Sequence, residues 1–596
     1  VSQETRENLE VSAVRRILDA EASALSGGVS EVRTKLLAIL AASFNPRVRQ
    51  TVYNYIIGDL RNQIGLALTW LYEEYSLLQG FNKRPPNQLQ EGVRCDHNYS
   101  SLLCKLINSV IEHTEMKDRD VILTRLYLEV PVLTDEATEL IKHFSATEVL
   151  GLNIVHKLSL MRPPKQLLFL NTLLANTCHQ NNEIRDAAID HIVRLYERDE
   201  MHSIIEEYAV LYLKFLCLSQ PPDVLFGQDK GRLFKQENWN DDGIKACLYL
   251  YVALLPINQE LVHELARVYI QTVADVKRTI LRVIETPIKL MGMDSPQLLK
   301  LVEECPKGSE TLVTRIIHIL TDRSAPSVEL VARVRELYHT RVSDVRFLIP
   351  VLNGLSKNEV IAALPKLIKL NPIVVKEVFN RLLGTQTEMS VHSSPITPSE
   401  LLIALHTIDP SKCELKTVIK ATSLCFADKQ AYTQEVLAVV MQHLMEVTPL
   451  PTLLMRTVIQ ALSLYPRLIG FVMNILQRLI LKQVWRQKKV WEGFIKCCQR
   501  TQPHSFQVLL QLPAPQLADV FTESPDLKQP LLDHIMGFTE NQRAHIPQSV
   551  MDILLGPSHP VKMEFDIKEE PVGVFILIFV CILVILEIKC RSYHLD

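Results

Sequence analysis

The chain has 596 residues, 64 Lys and Arg against 67 Asp and Glu for a formal charge of −3, and 47% hydrophobic residues. That balance argues against a strongly basic nucleic-acid binder and leaves local basic patches open. Nineteen glycines are about half the usual share and aromatics only 6%, which favours helices over glycine-turned strands. Twelve cysteines with no C-x-x-C are too sparse for a disulfide scaffold, so a reducing compartment is expected. Val1 stands where an initiator Met would, and no secretory signal follows; the chain reads as a fragment.

In chain order, residues 1–80 read as helices, with apolar residues at three- and four-residue intervals over Val14–Leu25 and Val32–Phe44. Asn45 to Arg49 opens Thr51–Leu68, and Trp70–Leu78 follows. After the polar stretch Asn82–Tyr99 the period resumes at Leu102–His113, Asp118–Glu129 and Thr134–Phe144. Ser145 to Glu148 has the capping-box spacing S/T-x-x-E before Val149–Leu158, and Pro163-Pro164 precedes Leu167–Asn176. Residues 181–198 resemble the second helix of a HEAT repeat. Residues 221–242, with two prolines, glycines and no helical period, read as a loop. Helices are expected again over Cys247–Leu255, Gln259–Val273, Val276–Met291, Gln297–Glu304 and Val328–His339.

The stretch from Asp344 to Gly384 is the most legible. Asp344 can cap a first segment. Ser356 and Glu359 have the capping-box spacing for a second. Asn371-Pro372 opens a third that Gly384 stops. In that third segment Ile373, Val374, Val378, Leu382 and Leu383 are expected to form the buried stripe. Helices this short are marginal alone and must stack on neighbours. The fold expected is all-α, an irregular HEAT-like α-solenoid of stacked antiparallel helices with a disordered C-terminal tail. It is irregular because the similar openings at Arg49, Arg185, Lys277 and Arg346 lie 136, 92 and 69 residues apart, which reduces to no single period. Thr385–Ile396 reads as a loop, Thr397 to Glu400 as a further capping box, and helical patterns run on to Leu555.

Two signals lie in the tail. Val561 to Glu564 and Ile567 to Glu570 fit apolar-Lys-x-Glu, which makes Lys562 and Lys568 candidate SUMO acceptors against the plainer reading of a charged tail. Pro571 to Leu586 then carries no charge in 16 residues; it is short for a spanning helix and is also a candidate aggregation-prone strand.

Chemistry-bearing patterns are few. There is no Gly-rich phosphate loop, HExxH or GxSxG. Cys95, His97 and Cys104 are ligand types, but their spacing matches no zinc pattern, and the reading preferred is a polar loop beside a helix with Cys104 buried. Cys497 and Cys498 are read as packing, and His179 and His191 as solvated or capping. No catalytic residue, cofactor or metal is expected. One stretch stands out: Arg478, Lys482, Arg486, Lys488, Lys489, Lys496 and Arg500 face only Glu492, with Trp485 and Trp491 among them. Cations attract phosphates or acidic partners, and tryptophans stack on bases or anchor a protein. The alternative is a solvated face with both tryptophans in the core. Trp485, Arg486, Lys488, Lys489 and Trp491 are therefore candidate partner-binding residues.

The segments VRFLIPVLNGL to NRLLGTQ, LYLYVALLPINQELVHELARVY (248–269), DVKRTILRVIETPIKLMGMDSP (275–296), CPKGSETLVTR (305–315) and VWEGFIKCCQR (490–500) resemble the symplekin family over about residues 5–555, its C-terminal half. The resemblance implies a non-enzymatic nuclear scaffold of pre-mRNA 3′-end cleavage and polyadenylation, and of histone pre-mRNA processing. It would contact the nuclease-fold subunits of the cleavage and polyadenylation specificity factor and, more weakly, cleavage stimulation factor; an RNA contact is left open. The division it suggests is a helical repeat region 1–220, the loop 221–242, repeats 243–329, a symplekin C-terminal domain 330–555, a disordered tail 556–571 and the apolar segment 572–588. That last segment departs from the family. It is either a membrane anchor, which would make the chain a tail-anchored adaptor, or a gene-model artefact.

Overall fold

The computed structural model describes residues 2–82, 95–113, 118–322, 324–384 and 395–555. Lys562, Lys568, the apolar segment 572–588 and most of the expected loop after Gly384 lie outside them. Among the described residues there are helices and turns but no strand, only one isolated bridge between Gly227 and Arg232. The fold is all-α, a HEAT-like solenoid of stacked helices. It divides into two compact units, Val1–Ile396 and the part from Thr397 onward.

Local chemistry explains where helices begin. Asn45 accepts the amide hydrogens of Arg47 and Val48 at 3.0 and 3.1 Å, with Pro46 at the first helical position. Thr134, Asn181, Ser295 and Ser327 cap Asp135–Ser145, Asn182–Tyr196, Pro296–Glu304 and Val328–Thr340 in the same way. Ser356 with Glu359 and Thr397 with Glu400 make both halves of a capping box, and Asn371 caps Pro372–Leu383, which ends on Gly384 at φ 69°. Ser145 to Glu148 does not form one. Ser145 is buried at the end of the preceding helix and donates to the Lys142 carbonyl at 2.7 Å.

Other expectations shift by a turn. The segment after Asp344 is a 3-10 helix, Val345–Gly354, with Pro350 inside it. In Pro372–Leu383 the buried side chains are Val375, Val378, Phe379 and Leu382, while Ile373 is 79% exposed. The expected helix Thr51–Leu68 is broken at Asp59, which caps Leu60–Leu78. The expected helix Val276–Met291 is two, Ala274–Val283 and Glu285–Met291, the second containing Pro287.

Around the buried apolar core, polar links also join successive layers. Arg119 pairs with Glu148, Lys165 with Asp135 and Arg315 with Glu285, spanning 29, 30 and 30 residues. Tyr99 donates to the Val132 carbonyl across 33 residues, and Tyr465 to the Tyr432 carbonyl across another 33. His191 meets Asn153 over 38 and Arg478 meets Gln442 over 36. Each link joins one helical layer to the next, so the solenoid has a repeat of variable length.

Residues 221–240 are a folded loop, and Asp241 and Asp242 already belong to the helix Asp241–Leu254. The Gln180 amide donates to the Lys230 carbonyl and the Arg232 guanidinium to the Cys178 carbonyl, both at 3.0 Å. Gly231, at φ 64°, lies against His179, where a side chain would be both strained and crowded.

A candidate docking surface around Lys488 to Arg500

The basic stretch lies on three elements: the helix Ile469–Leu481, the 3-10 turn Val484–Arg486 and the helix Lys488–Arg500. Gln483 adopts a left-handed conformation, φ 54° and ψ 53°, which ends the first helix and starts the turn. Helix Lys488–Arg500 is sharply two-sided. Val490, Trp491, Phe494, Ile495, Cys497 and Cys498 are buried, whereas Lys488, Lys489, Glu492, Lys496, Gln499 and Arg500 are exposed. At about 100° per residue the exposed group spans roughly a third of the circumference.

The seven basic side chains do not act alike. Arg478 donates to the Gln442 side chain at 2.7 Å, and Lys482 to the Met445 carbonyl near the end of Gln434–Glu446. These two stitch neighbouring helices. Arg486, Lys488, Lys489, Lys496 and Arg500 are exposed, and among the described residues none of them has a carboxylate partner.

The tryptophans also separate. Trp491 is 5% exposed, stacks on Phe494 with centroids 5.2 Å apart, and donates its Nε1–H to Asp519 at 2.5 Å. It is a core residue, so the expectation of a partner contact there is corrected. Trp485 is half-buried, edge-on to Trp491 at 6.4 Å and 81°.

Two residues that hold this helix were not singled out from sequence. Asp519, on Ala514–Glu523, receives the Trp491 indole. Gly493 lies so close to the helix Leu454–Leu464 that a Cβ there would stand 2.5 Å from Met455 Cβ. A glycine inside an amphipathic helix was the available signal for close packing. Asp519 had none, because its partner is 28 residues away.

The other candidates resolve as follows. Cys497 and Cys498 are fully buried; burial pushes the Cys497 thiol up to about 12 and Cys498 well above its ordinary value, which makes both poor nucleophiles. Cys104 is half-buried rather than buried, and burial raises its thiol pKa. His97 is exposed and the Cys95 side chain is outside the description; among the described residues no metal-holding group of His, Cys, Asp and Glu forms. His179 and His191 are buried, not solvated. His179 Nδ1 does accept the Asn181 amide at 3.0 Å, just before the helix it was read to cap. His191 is stacked on His156 at 4.6 Å, and burial followed by the His156 charge lowers its pKa to about 4. No helix among the described residues is long and apolar enough to cross a membrane.

Residues 344–524 match the family described as symplekin tight junction protein C terminal. That region is similar to the symplekin C-terminal domain. The match takes in the capped segments after Asp344 and the whole basic helix Lys488–Arg500. A solved structure described as the crystal structure of an engineered protein aligns with 81% of this chain and 99% of its own, at 12% identity and a TM-score of 0.16. A score that low says nothing about fold.

Proposed function

We propose that this chain is a non-enzymatic scaffold in the nuclear processing of pre-mRNA 3′ ends, including histone pre-mRNA. The observation that carries the reading is the symplekin C-terminal match over residues 344–524. The stacked helices support it, since a solenoid offers a long surface able to hold several partners in a fixed relation. Its partners are the nuclease-fold subunits of the cleavage and polyadenylation specificity factor, docked on residues 330–555, with cleavage stimulation factor as a weaker contact. The test is affinity purification of the tagged chain from nuclear extract, followed by identification of what comes with it. Stoichiometric recovery of the nuclease-fold subunits, lost when residues 330–555 are removed and kept when 556–596 are removed, is the expected result. Recovery only from detergent-solubilised membranes, without those subunits, would sink the reading.

A further inference from the structure

The exposed face of Lys488–Arg500 carries chemistry that a protein scaffold does not by itself require. Between Val447 and Ala518 there are nine Lys or Arg and one acid, Glu492. Five of the nine, Arg486, Lys488, Lys489, Lys496 and Arg500, are exposed and free of carboxylates among the described residues. Lys489, Lys496 and Arg500 fall within about 40° of one another around the helix axis, at steps of about 10 and 6 Å along it. They make a straight row of positive charge.

A packed protein interface needs buried apolar or aromatic anchors at its centre, with charges at the rim. This face has none: no large apolar side chain is exposed on Lys488–Arg500, and the nearest in sequence is Leu481 on the preceding helix. Trp491, the aromatic that would have served, is in the core. A row of unpaired cations without an apolar centre fits a polyanion contacted through its charges, and Trp485 adds one half-exposed aromatic beside Arg486.

We propose that Arg486, Lys488, Lys489, Lys496 and Arg500 bind the sugar–phosphate backbone of a single-stranded nucleic acid, with Trp485 placed to stack a base. The inference goes beyond the scaffold reading and does not depend on which proteins the chain holds. Recognition is of charge and is independent of sequence. Gly493 matters indirectly, because it seats the helix against Met455 and so fixes the direction of the row.

The test uses the full chain and a fluorescein-labelled oligouridine of about 16 nucleotides, followed by anisotropy from about 50 to 200 mM salt. For five phosphate contacts the log–log salt slope should be about −3.5, at about −0.7 per contact on a single strand. K488E/K489E/K496E/R500E, all at exposed positions, should melt like the parent, bind at least tenfold more weakly and lose most of that slope. Trp485→Ala should weaken binding severalfold with the slope unchanged; if it melts early, the charge variant decides. An oligodeoxythymidine of the same length should bind with the same slope. Retention of affinity and slope by the charge variant overturns the proposal, as does tighter binding of a duplex. Displacement of the RNA by polyglutamate at a lower charge concentration than by unlabelled RNA would assign the face to an acidic protein instead.

Discussion

Truncating Trp491 separates a core tryptophan from an interface anchor. Its indole is 5% exposed, lies flat against Phe494 and donates to Asp519 at 2.5 Å. Removing a buried ring this large costs ~3–5 kcal/mol through lost transfer energy and the cavity left behind. A hydrogen bond to a charged acceptor is worth ~1.5–3 kcal/mol, part of it already counted in the ring. Trp491→Ala should therefore destabilise the unit from Thr397 onward by ~4–6 kcal/mol, a large share of an ordinary domain's total. Trp491→Phe keeps most of the packing and loses only the bond to Asp519, which is exposed and turns to water, so it should cost ~1 kcal/mol. Trp485→Ala, at a half-buried site, should cost ~1–2 kcal/mol. Urea unfolding followed by tryptophan emission reads this unit, which holds Trp485 and Trp491 of the chain's four tryptophans. Were Trp491→Ala to melt within about 1 kcal/mol of the parent while losing its partners, Trp491 would be an interface residue and the packing argument would fail.

Gly493→Ala gains up to ~1 kcal/mol of helix propensity but forces Met455 aside, so a net loss of ~1–2 kcal/mol is expected in the same urea assay. Gly470→Ala, with nothing within 4 Å of the new methyl, should be neutral or stabilising, and equal effects at the two sites would refute the contrast. Ser356→Ala removes one half of the capping box on Lys357–Leu367 and should cost ~1 kcal/mol, measured on the unit ending at Ile396. Stability should fall as pH drops from about 6.5 towards 4: the unfolded chain protonates His191 near its ordinary value, whereas the folded pKa is about 4, so acid favours the unfolded state by at most ~3 kcal/mol from this residue. The groups around that ring are Asn153, His156, Asp190 and Arg194, and His191→Gln should flatten the pH dependence; an unchanged slope would place the acid sensitivity elsewhere.

Helix class and many helix starts were legible because they depend on neighbours in sequence. Asn371, Ser356 and Thr397 cap within three residues of themselves, so reading the chain finds them. Ser145 carried the same pattern and failed, because the preceding helix runs on through it and buries it. The stripe on Pro372–Leu383 was misplaced since Ile373, apolar by type, lies in the first turn and faces solvent. The repeat was hidden for a related reason. Its layers are joined by links of 29 to 38 residues, such as Arg119 to Glu148 and His191 to Asn153, whose length varies with each helix and turn. At the candidate site, sequence supplied the charges and the tryptophans. Only packing could separate Arg478 and Lys482, which join helices, from the five exposed cations, and Trp491 from Trp485.

The two units use charge differently, and that difference bears on function. Up to Ile396, arginines sit between layers: Arg33 is 7% exposed and bonded to the carbonyls of Ile17 and Leu18, Arg162 to those of Tyr127 and Leu128, and Arg315 pairs with Glu285. A guanidinium can satisfy several orphan carbonyls at helix ends at once, so these cations belong to the architecture. From Thr397 onward, no Lys or Arg forms an ion pair among the described residues. Unpaired surface cations contribute little to folding, and each exposed pair forgone would have been worth only ~0–1 kcal/mol. Their clustering opposite a single acid does create a local field, and such a field speeds and orients the approach of an anionic partner. Charge in the first unit therefore links the layers of the stack. In the second, the row along Lys488–Arg500 is held in place by apolar packing and by Gly493, and is left free to meet something outside the chain.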